Sequence, residues 1–257
     1  MSIYAKKSLG QNFLASEGAL RKIVDAAKIR KDEIVLEIGP GKGVLTKELL
    51  GLGARVIAIE KDHRLIAPLQ VTFENDIREK RFFLIEGDAL DTPTPLSLIP
   101  KEESYKIVAN IPYYITGNFL RSYLTLDQQP STVVILVQKE VAERIVAKDK
   151  KESLLSISVK AYGEPKIVAK VPRGSFVPAP KVDSAILAIE KISKENFKSV
   201  SEEKFFSLLR KGFAHKRKLL STNLGIKSDT LRQIGLNPSA RAENLAIGDW
   251  RKIVESL

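Results

Sequence analysis

Asn110-Ile111-Pro112-Tyr113 follows a short apolar run, and its residue types suit one task, holding a flat ring by its exocyclic amine. Such an amine, as on adenine, is a poor nucleophile because its lone pair is delocalised into the ring. The side-chain carbonyl of Asn110 and a backbone carbonyl of the Ile111-Pro112 turn can accept both amine protons, which favours a pyramidal nitrogen with an outward lone pair. Pro112 has no N–H and a fixed φ, so it helps hold that carbonyl in place. Tyr113 can stack on the ring face, as aromatic side chains do with splayed-out bases. The same residues also fit a strand end and a proline turn carrying two core tyrosines, Tyr113 and Tyr114.

A second constellation lies upstream, at Glu37-Ile38-Gly39-Pro40-Gly41-Lys42-Gly43. A glycine-rich turn between strand and helix lets a ligand approach the backbone at the carboxyl end of a strand. Gly39, Gly41 and Gly43 give G-x-G-x-G, whereas a dinucleotide fingerprint needs G-x-G-x-x-G; Lys42 and Thr46 are misplaced for a phosphate-binding P-loop. Glu60 stands about 20 residues past the glycines, where an acid accepts hydrogen bonds from ribose hydroxyls. Asp88, in Gly87-Asp88-Ala89-Leu90, can accept an amino proton from an adenine ring. Two acids at successive strand ends suit a neutral or cationic nucleoside better than a pyrophosphate. Singly, each acid also reads as a solvated strand end or a helix cap.

The surrounding pattern supplies strands and helices in alternation. Strands are predicted at 33–38, 55–59, 81–85, 106–109 and 132–137, with helices at 44–50, 65–73 and 115–124 and a Thr-Pro-Thr-Pro-rich loop at 91–100. This order implies a mostly parallel sheet covered on both faces. Helices at 139–147 and 153–161 precede a terminal hairpin, 166–171 with 184–190, joined by a long Pro-rich connection. Beyond Ile192 only short helices are predicted, at 202–213, 215–220, 228–234 and 249–256, with Ser228 and Asp249 as N-caps. A boundary is therefore placed near Ser193, giving domains 1–192 and 193–257.

Lys and Arg number 42 against 31 Asp and Glu, a net charge of +11 with a pI near 9.6, as a polyanion-binding surface would give. From Lys191 onward 14 basic residues meet 7 acidic ones, net +7, leaving +4 for the rest. The absence of cysteine excludes disulfides and Cys-ligated metals, and with only His63 and His215 no metal site is expected. Met1 to Lys7 has no apolar leader core and no run approaches a membrane span, so a soluble, cytoplasmic protein is expected. His63 and Lys42 read as surface residues, and Tyr114 as core.

Taken together, these residues resemble the S-adenosylmethionine-dependent methyltransferases and, more narrowly, the ribosomal RNA adenine dimethyltransferase family. Ser8-Leu9-Gly10 followed by Gln11-Asn12-Phe13-Leu14 resembles the family's N-terminal motif, and Phe176-Val177-Pro178-Ala179-Pro180-Lys181-Val182-Asp183-Ser184 its late motif. Phe213, Arg217-Lys218-Leu219, Asn223-Leu224 and Arg241-Ala242-Glu243-Asn244-Leu245 resemble parts of its C-terminal domain. The likeness runs through nearly the whole chain in collinear order; the stretch 91–105 is the least family-like.

The resemblance implies a Rossmann-like class I methyltransferase, α/β, with a mostly parallel seven-stranded sheet, a terminal antiparallel hairpin and a small all-α, RNA-binding C-terminal domain. It implies S-adenosylmethionine as cofactor, contacted by Gln11, Asn12 and Leu14, by Glu37, Gly39 and Gly41, by Glu60, and by Asp88, Ala89 and Asn110. Asn110, Pro112, Tyr113 and Phe176 would hold the reacting base. The implied substrate is two adjacent adenines near the 3′ end of small-subunit ribosomal RNA, met as RNA or as an immature small subunit by a monomeric enzyme with no metal and no membrane contact.

Several members also have plainer readings. Phe176 fits a loop anchor, Phe13 a staple for a helix beginning near Ser16, and Lys216-Arg217-Lys218 a solvated helix face. Three rival functions stay open: a large-subunit RNA methyltransferase of the antibiotic-resistance type, a non-catalytic ribosome-assembly factor, and a small-molecule methyltransferase or dehydrogenase. The late motif and the tail at 241–245 favour the small-subunit type, the intact acids disfavour a non-catalytic factor, and the glycine spacing and basic tail disfavour the third.

Overall fold

The first elements are a two-residue strand, β1 (Phe13–Leu14), and a helix, α1 (Glu17–Ala27), capped by the Ser16 hydroxyl, which accepts the Ala19 N–H at 3.3 Å. Then come β2 (Ile34–Ile38), α2 (Val44–Gly51), β3 (Arg55–Glu60), α3 (His63–Thr72), α4 (Glu74–Arg78) and β4 (Phe82–Glu86). They are followed by β5 (Tyr105–Ala109), α5 (Thr116–Leu124), β6 (Thr132–Gln138), α6 (Lys139–Val146) and α7 (Leu154–Lys160). Strands β7 (Glu164–Val171), β8 (Phe176–Val177) and β9 (Ser184–Glu190) complete the β structure. The computed structural model describes residues 4–91 and 96–257.

By contacts the chain divides into two units, Met1–Ala142 with Lys166–Ile192, and Glu143–Pro165 with Ser193–Leu257. In the first, β2, β3, β5 and β6 are apolar runs buried almost throughout, the signature of strands covered on both faces. The seven-stranded order is β4-β3-β2-β5-β6-β9-β7. The five strands from β4 to β6 run parallel, and β9 is antiparallel to β6. Register places Ile38 opposite both Ile59 and Ala109, and Glu60 opposite Glu86. The loops after β2, β3, β4 and β5 therefore leave the sheet at one edge, and the chain's direction of travel across the sheet reverses between β2 and β5. Open α/β sheets bind ligands at such a reversal.

The long strands fall within two residues of their sequence-based positions. The two-residue strands β1 and β8 carry too little pattern to be read from sequence, yet they pair antiparallel, Phe13 with Val177 and Leu14 with Phe176. Part of the Pro-rich loop, residues 92–95, lies outside the described residues. Beyond it Ile99 is buried, and the Gln128 amide donates to the Pro100 and Glu103 carbonyls at 2.8 and 3.3 Å. Among the described residues no helix is long and apolar enough to cross a membrane.

The second unit contains α8 (Glu202–Gly212), α9 (Leu220–Leu224), α10 (Ser228–Gln233) and α11 (Ile247–Ser256). Ser193 is one edge of this unit, but the segment 143–165, assigned to the first domain from sequence, belongs here too. Its bonds explain why: the Tyr162 hydroxyl donates to Glu202 at 2.5 Å, the Asn196 amide to the Ala161 carbonyl at 2.9 Å, and the Glu152 N–H to the Glu243 carbonyl at 2.9 Å. The helix expected at 215–220 is instead a turn whose residues 214–219 are all exposed, Leu219 included. The Asn223 amide ties that turn down by donating to the Gly212 and His215 carbonyls at 2.6 and 3.0 Å. Ser228 is the first residue of α10 rather than its cap, and Asp249 accepts the Ala246 N–H at 3.0 Å from inside α11.

Gly212 is where α8 meets the core: a Cβ there would stand 2.3 Å from Trp250 Cη2. Gly212→Ala is expected to destabilise this unit by about 1–3 kcal/mol through overpacking. The midpoint of urea unfolding followed by fluorescence of Trp250, the chain's one tryptophan, measures this.

Candidate active site

At the edge where the four loops emerge, a cleft encloses about 970 Å³ of empty space, open solvent included. Gly39 and Gly41, Glu60, Asp88 and Ala89 line it from the ends of β2, β3 and β4. Asn110, Pro112 and Tyr113 line it from the end of β5, and Gln11 and Asn12 wall it from the N-terminal side. Segments a hundred residues apart in sequence thus share one cavity.

The glycines have separate duties. All three lie in the left-handed region, with φ of +67°, +60° and +78° at Gly39, Gly41 and Gly43. A Cβ at Gly43 would stand 2.6 Å from the Phe73 ring, and one at Gly41 3.2 Å from the Phe13 ring, so these two are set by packing. A Cβ at Gly39 would meet nothing within 4 Å, so its backbone is open to an approaching ligand.

Glu60 is 5% exposed, and its two oxygens accept the Gly41 N–H at 3.0 Å and the Asp62 N–H at 2.8 Å. Burial pushes its pKa up against these donors. Asp88 is held below the usual carboxylate range, first by the Leu90 N–H and then by the Lys61 ammonium, which lies 2.6 Å away. The Ala89 carbonyl next to it accepts the buried Tyr123 hydroxyl at 2.9 Å.

Asn110 donates its amide Nδ2 to the Asn12 carbonyl at 3.0 Å, which fixes Oδ1 as the free acceptor end. The Pro112 carbonyl accepts the Ile115 N–H at 3.2 Å and closes a 3₁₀ turn in which the Ile111 carbonyl takes no part. The Tyr113 hydroxyl lies 2.5 Å from the fully buried Ser184 hydroxyl, and burial pushes the phenol pKa up.

Three expected residues do not line the cleft. Glu37 lies beneath the glycine turn, 1% exposed, and accepts the Thr46 hydroxyl at 2.6 Å. Leu14 and Phe176, 8% and 3% exposed, face each other across β1 and β8 and point into the core. Tyr114, expected in the core, is 65% exposed at the cleft rim. Sequence reasoning missed the duties of Phe13, which covers Gly41 beneath the Lys42 ammonium at 5.1 Å, and of Lys61. Phe13 sits inside the Gln11 to Leu14 motif, which was its only signal.

The reversed strand order with this cleft at its edge defines a Rossmann-like fold, and two solved methyltransferases share it. A dimethyladenosine transferase from Plasmodium falciparum is 31% identical with a TM-score of 0.79, covering 94% of this chain and 95% of that one. The 23S rRNA methyltransferase ErmE is 26% identical with a TM-score of 0.76, covering 96% and 99%. The family model for ribosomal RNA adenine dimethylase matches residues 3–257, so the chain belongs to that family. Proteins named ribosomal RNA small subunit methyltransferase A are 42% identical in Dehalococcoides mccartyi and 38% in Clostridium botulinum, each over 98% of this chain and 88% and 93% of theirs.

Burial pushes the Glu37 carboxyl up to about 8, with the Glu60 charge adding to the rise and the Thr46 hydroxyl opposing it. Its folded pKa lies above the unfolded value of 4.5, so its contribution to stability is full below pH 4.5 and is lost as the pH climbs to about 8. Glu37→Gln keeps an acceptor for Thr46 and removes the ionisation. It should be near neutral at the acid end of this window and stabilising relative to wild type at the basic end. Urea unfolding of both proteins across the window checks this, and a difference that does not change with pH would mean an ordinary carboxylate.

Proposed function

We propose that the protein transfers methyl groups from S-adenosylmethionine to N6 of two adjacent adenines in the 3′-terminal hairpin loop of small-subunit ribosomal RNA, twice at each nitrogen. The observation that carries the reading is the fixed Asn110 amide, whose Oδ1 stands at the cleft beside the turn holding the Ile111 carbonyl. In this reading the enzyme acts as a cytoplasmic monomer on RNA or on an immature small subunit.

The cleft's donor set fits the cofactor. Gly39 gives open backbone, Glu60 a carboxylate for ribose hydroxyls, and Asp88 an acceptor for the adenine amine. Gln11, Asn12 and Ala89 add contacts along the wall. Leu14 and Glu37, being buried behind this surface, support it from beneath. When bound, S-adenosylmethionine supplies an electrophilic methyl on a sulfonium that leaves readily.

In the first transfer Asn110 Oδ1 and the Ile111 carbonyl accept the two N6 protons and direct the lone pair outward; in the second, the one remaining proton goes to one of these acceptors and the methyl already added takes the other place. Tyr113, its hydroxyl held by Ser184, stacks on the base at roughly 1–3 kcal/mol, which offsets part of the cost of extruding it. Alignment can supply about 7–11 kcal/mol of the barrier reduction. The N6 proton becomes acidic only after attack, so water can remove it and no strong base is required. Phe176, too buried to stack on an incoming base, anchors the segment that carries Ser184 to Tyr113.

RNA choice rests on shape and phosphate contacts by the basic segment 193–257, supported by its net +7 charge from Lys191 onward and by the exposure of Lys216, Arg217 and Lys218. The competing substrate is large-subunit RNA, given the likeness to ErmE. The higher identity to the small-subunit relatives favours the first reading.

Labelled methyl incorporation into unmethylated small subunits and large-subunit RNA, with mass mapping, is expected to give dimethyladenosine at neighbouring positions in the small-subunit RNA. Label confined to large-subunit RNA would move the assignment. Asn110→Ala should largely keep cofactor binding and lose transfer, read by equilibrium titration beside the transfer assay. Glu60→Ala should mainly weaken cofactor binding, and an unchanged dissociation constant would remove its ribose assignment.

A further inference from the structure

Asp62 follows the proposed ribose acid by two residues and caps α3 by accepting the Arg64 N–H at 3.3 Å. Capping engages only one carboxylate oxygen. The side chain is fully buried, and it also accepts Arg64 Nε at 2.8 Å and Nη2 at 2.6 Å, and Gln11 Nε2 at 2.8 Å. A buried carboxylate is costly unless paired and hydrogen-bonded, and here Arg64 meets that need. The Gln11 contact reaches 51 residues back along the chain, to the wall of the cleft.

The bonds on either side form a continuous path. Gln11 Oε1 accepts the Lys6 N–H at 2.7 Å. The Asp62 N–H donates to Glu60 Oε1 at 2.8 Å, and Glu60 Oε2 accepts the Gly41 N–H at 3.0 Å. Asp62 thus joins the N-terminal wall, through its carboxylate, to the strand-end acid, through its backbone N–H, and Glu60 carries the path on to the glycine turn.

We propose that Asp62 is a positioning residue of the cofactor cleft, clamping the N-terminal wall through Gln11 while its backbone orients Glu60. The cofactor consequence rests on the placement of S-adenosylmethionine proposed above. Loss of the clamp frees the Gln11 end of the wall, so the cofactor escapes faster, while the separate bond from the Asn110 amide to the Asn12 carbonyl keeps Asn110 in place and turnover at saturation persists.

Asp62→Asn keeps the size and one acceptor for the helix cap, but has no charge for Arg64 and no second acceptor for Gln11. The cofactor KM should rise about tenfold, as expected for loss of a charge-assisted hydrogen bond. The kcat at saturating S-adenosylmethionine should stay within about twofold of wild type. Trypsin should cut after Lys6 faster in the free variant than in the free wild type, and added S-adenosylmethionine should slow the cut. If Asp62→Asn does not fold, Gln11→Glu, which sets two carboxylates face to face and leaves Arg64 in place, should give the same faster cleavage in the free protein, a readout independent of any direct contact of Gln11 with the cofactor. Unchanged KM and cleavage, or a loss of kcat at unchanged KM, would overturn the clamp. If Glu60→Ala leaves cofactor affinity unchanged, the cofactor placement fails, and the cleavage rates alone decide the clamp.

Discussion

The site depends on one constraint, the common register of the parallel strands. Ile38 stands level with Ile59 and Ala109, and Glu60 with Glu86, so the residues just beyond each strand meet at one edge. A slip of one residue in a strand turns every side chain to the other face. Such a slip in β3 would carry Glu60 away from Gly41. The nearly complete burial of β2, β3, β5 and β6 makes that slip costly, and the precision of the cleft is inherited from the core.

The chain is strongly basic, yet the cleft presents acceptors: the Glu60 and Asp88 carboxylates, the Asn110 carbonyl and the backbone of the turns. Charge is managed locally. Lys61 balances Asp88, backbone N–H groups hold Glu60, and burial keeps Glu37 predominantly protonated at neutral pH. A further negative charge beneath the turn is thereby avoided. The result suits a cationic nucleoside and an amine with protons to donate, while the basic exterior suits the polyanion that delivers that amine.

The N-terminal segment is held to this sheet by several small attachments. The β1–β8 pair joins it to the late motif, the Asn110 amide takes the Asn12 carbonyl, Phe13 covers Gly41, and Gln11 meets Asp62. Each is a side-chain or two-residue contact, in contrast with the long ladders of the core. The wall of the cleft is therefore the part whose position is most sensitive to single side chains.

The sequence alone determined the alternating elements, the edge at which the site lies and most of its polar residues, because these follow from local rules. Apolar runs mark buried strands, Gly39, Gly41 and Gly43 mark a turn needing positive φ, and Glu60, Asp88 and Asn110 mark strand ends. Collinear motifs identified the family. Tertiary structure decided what local pattern cannot carry: that Phe176 and Leu14 turn inward from a pair of two-residue strands, that Tyr114 is exposed, and that 143–165 packs with the C-terminal helices. It also decided that Asp62 faces Gln11. The physical reason is the same throughout. Burial and hydrogen-bond partnership are set by residues far away along the chain, and only the folded chain brings those partners within reach.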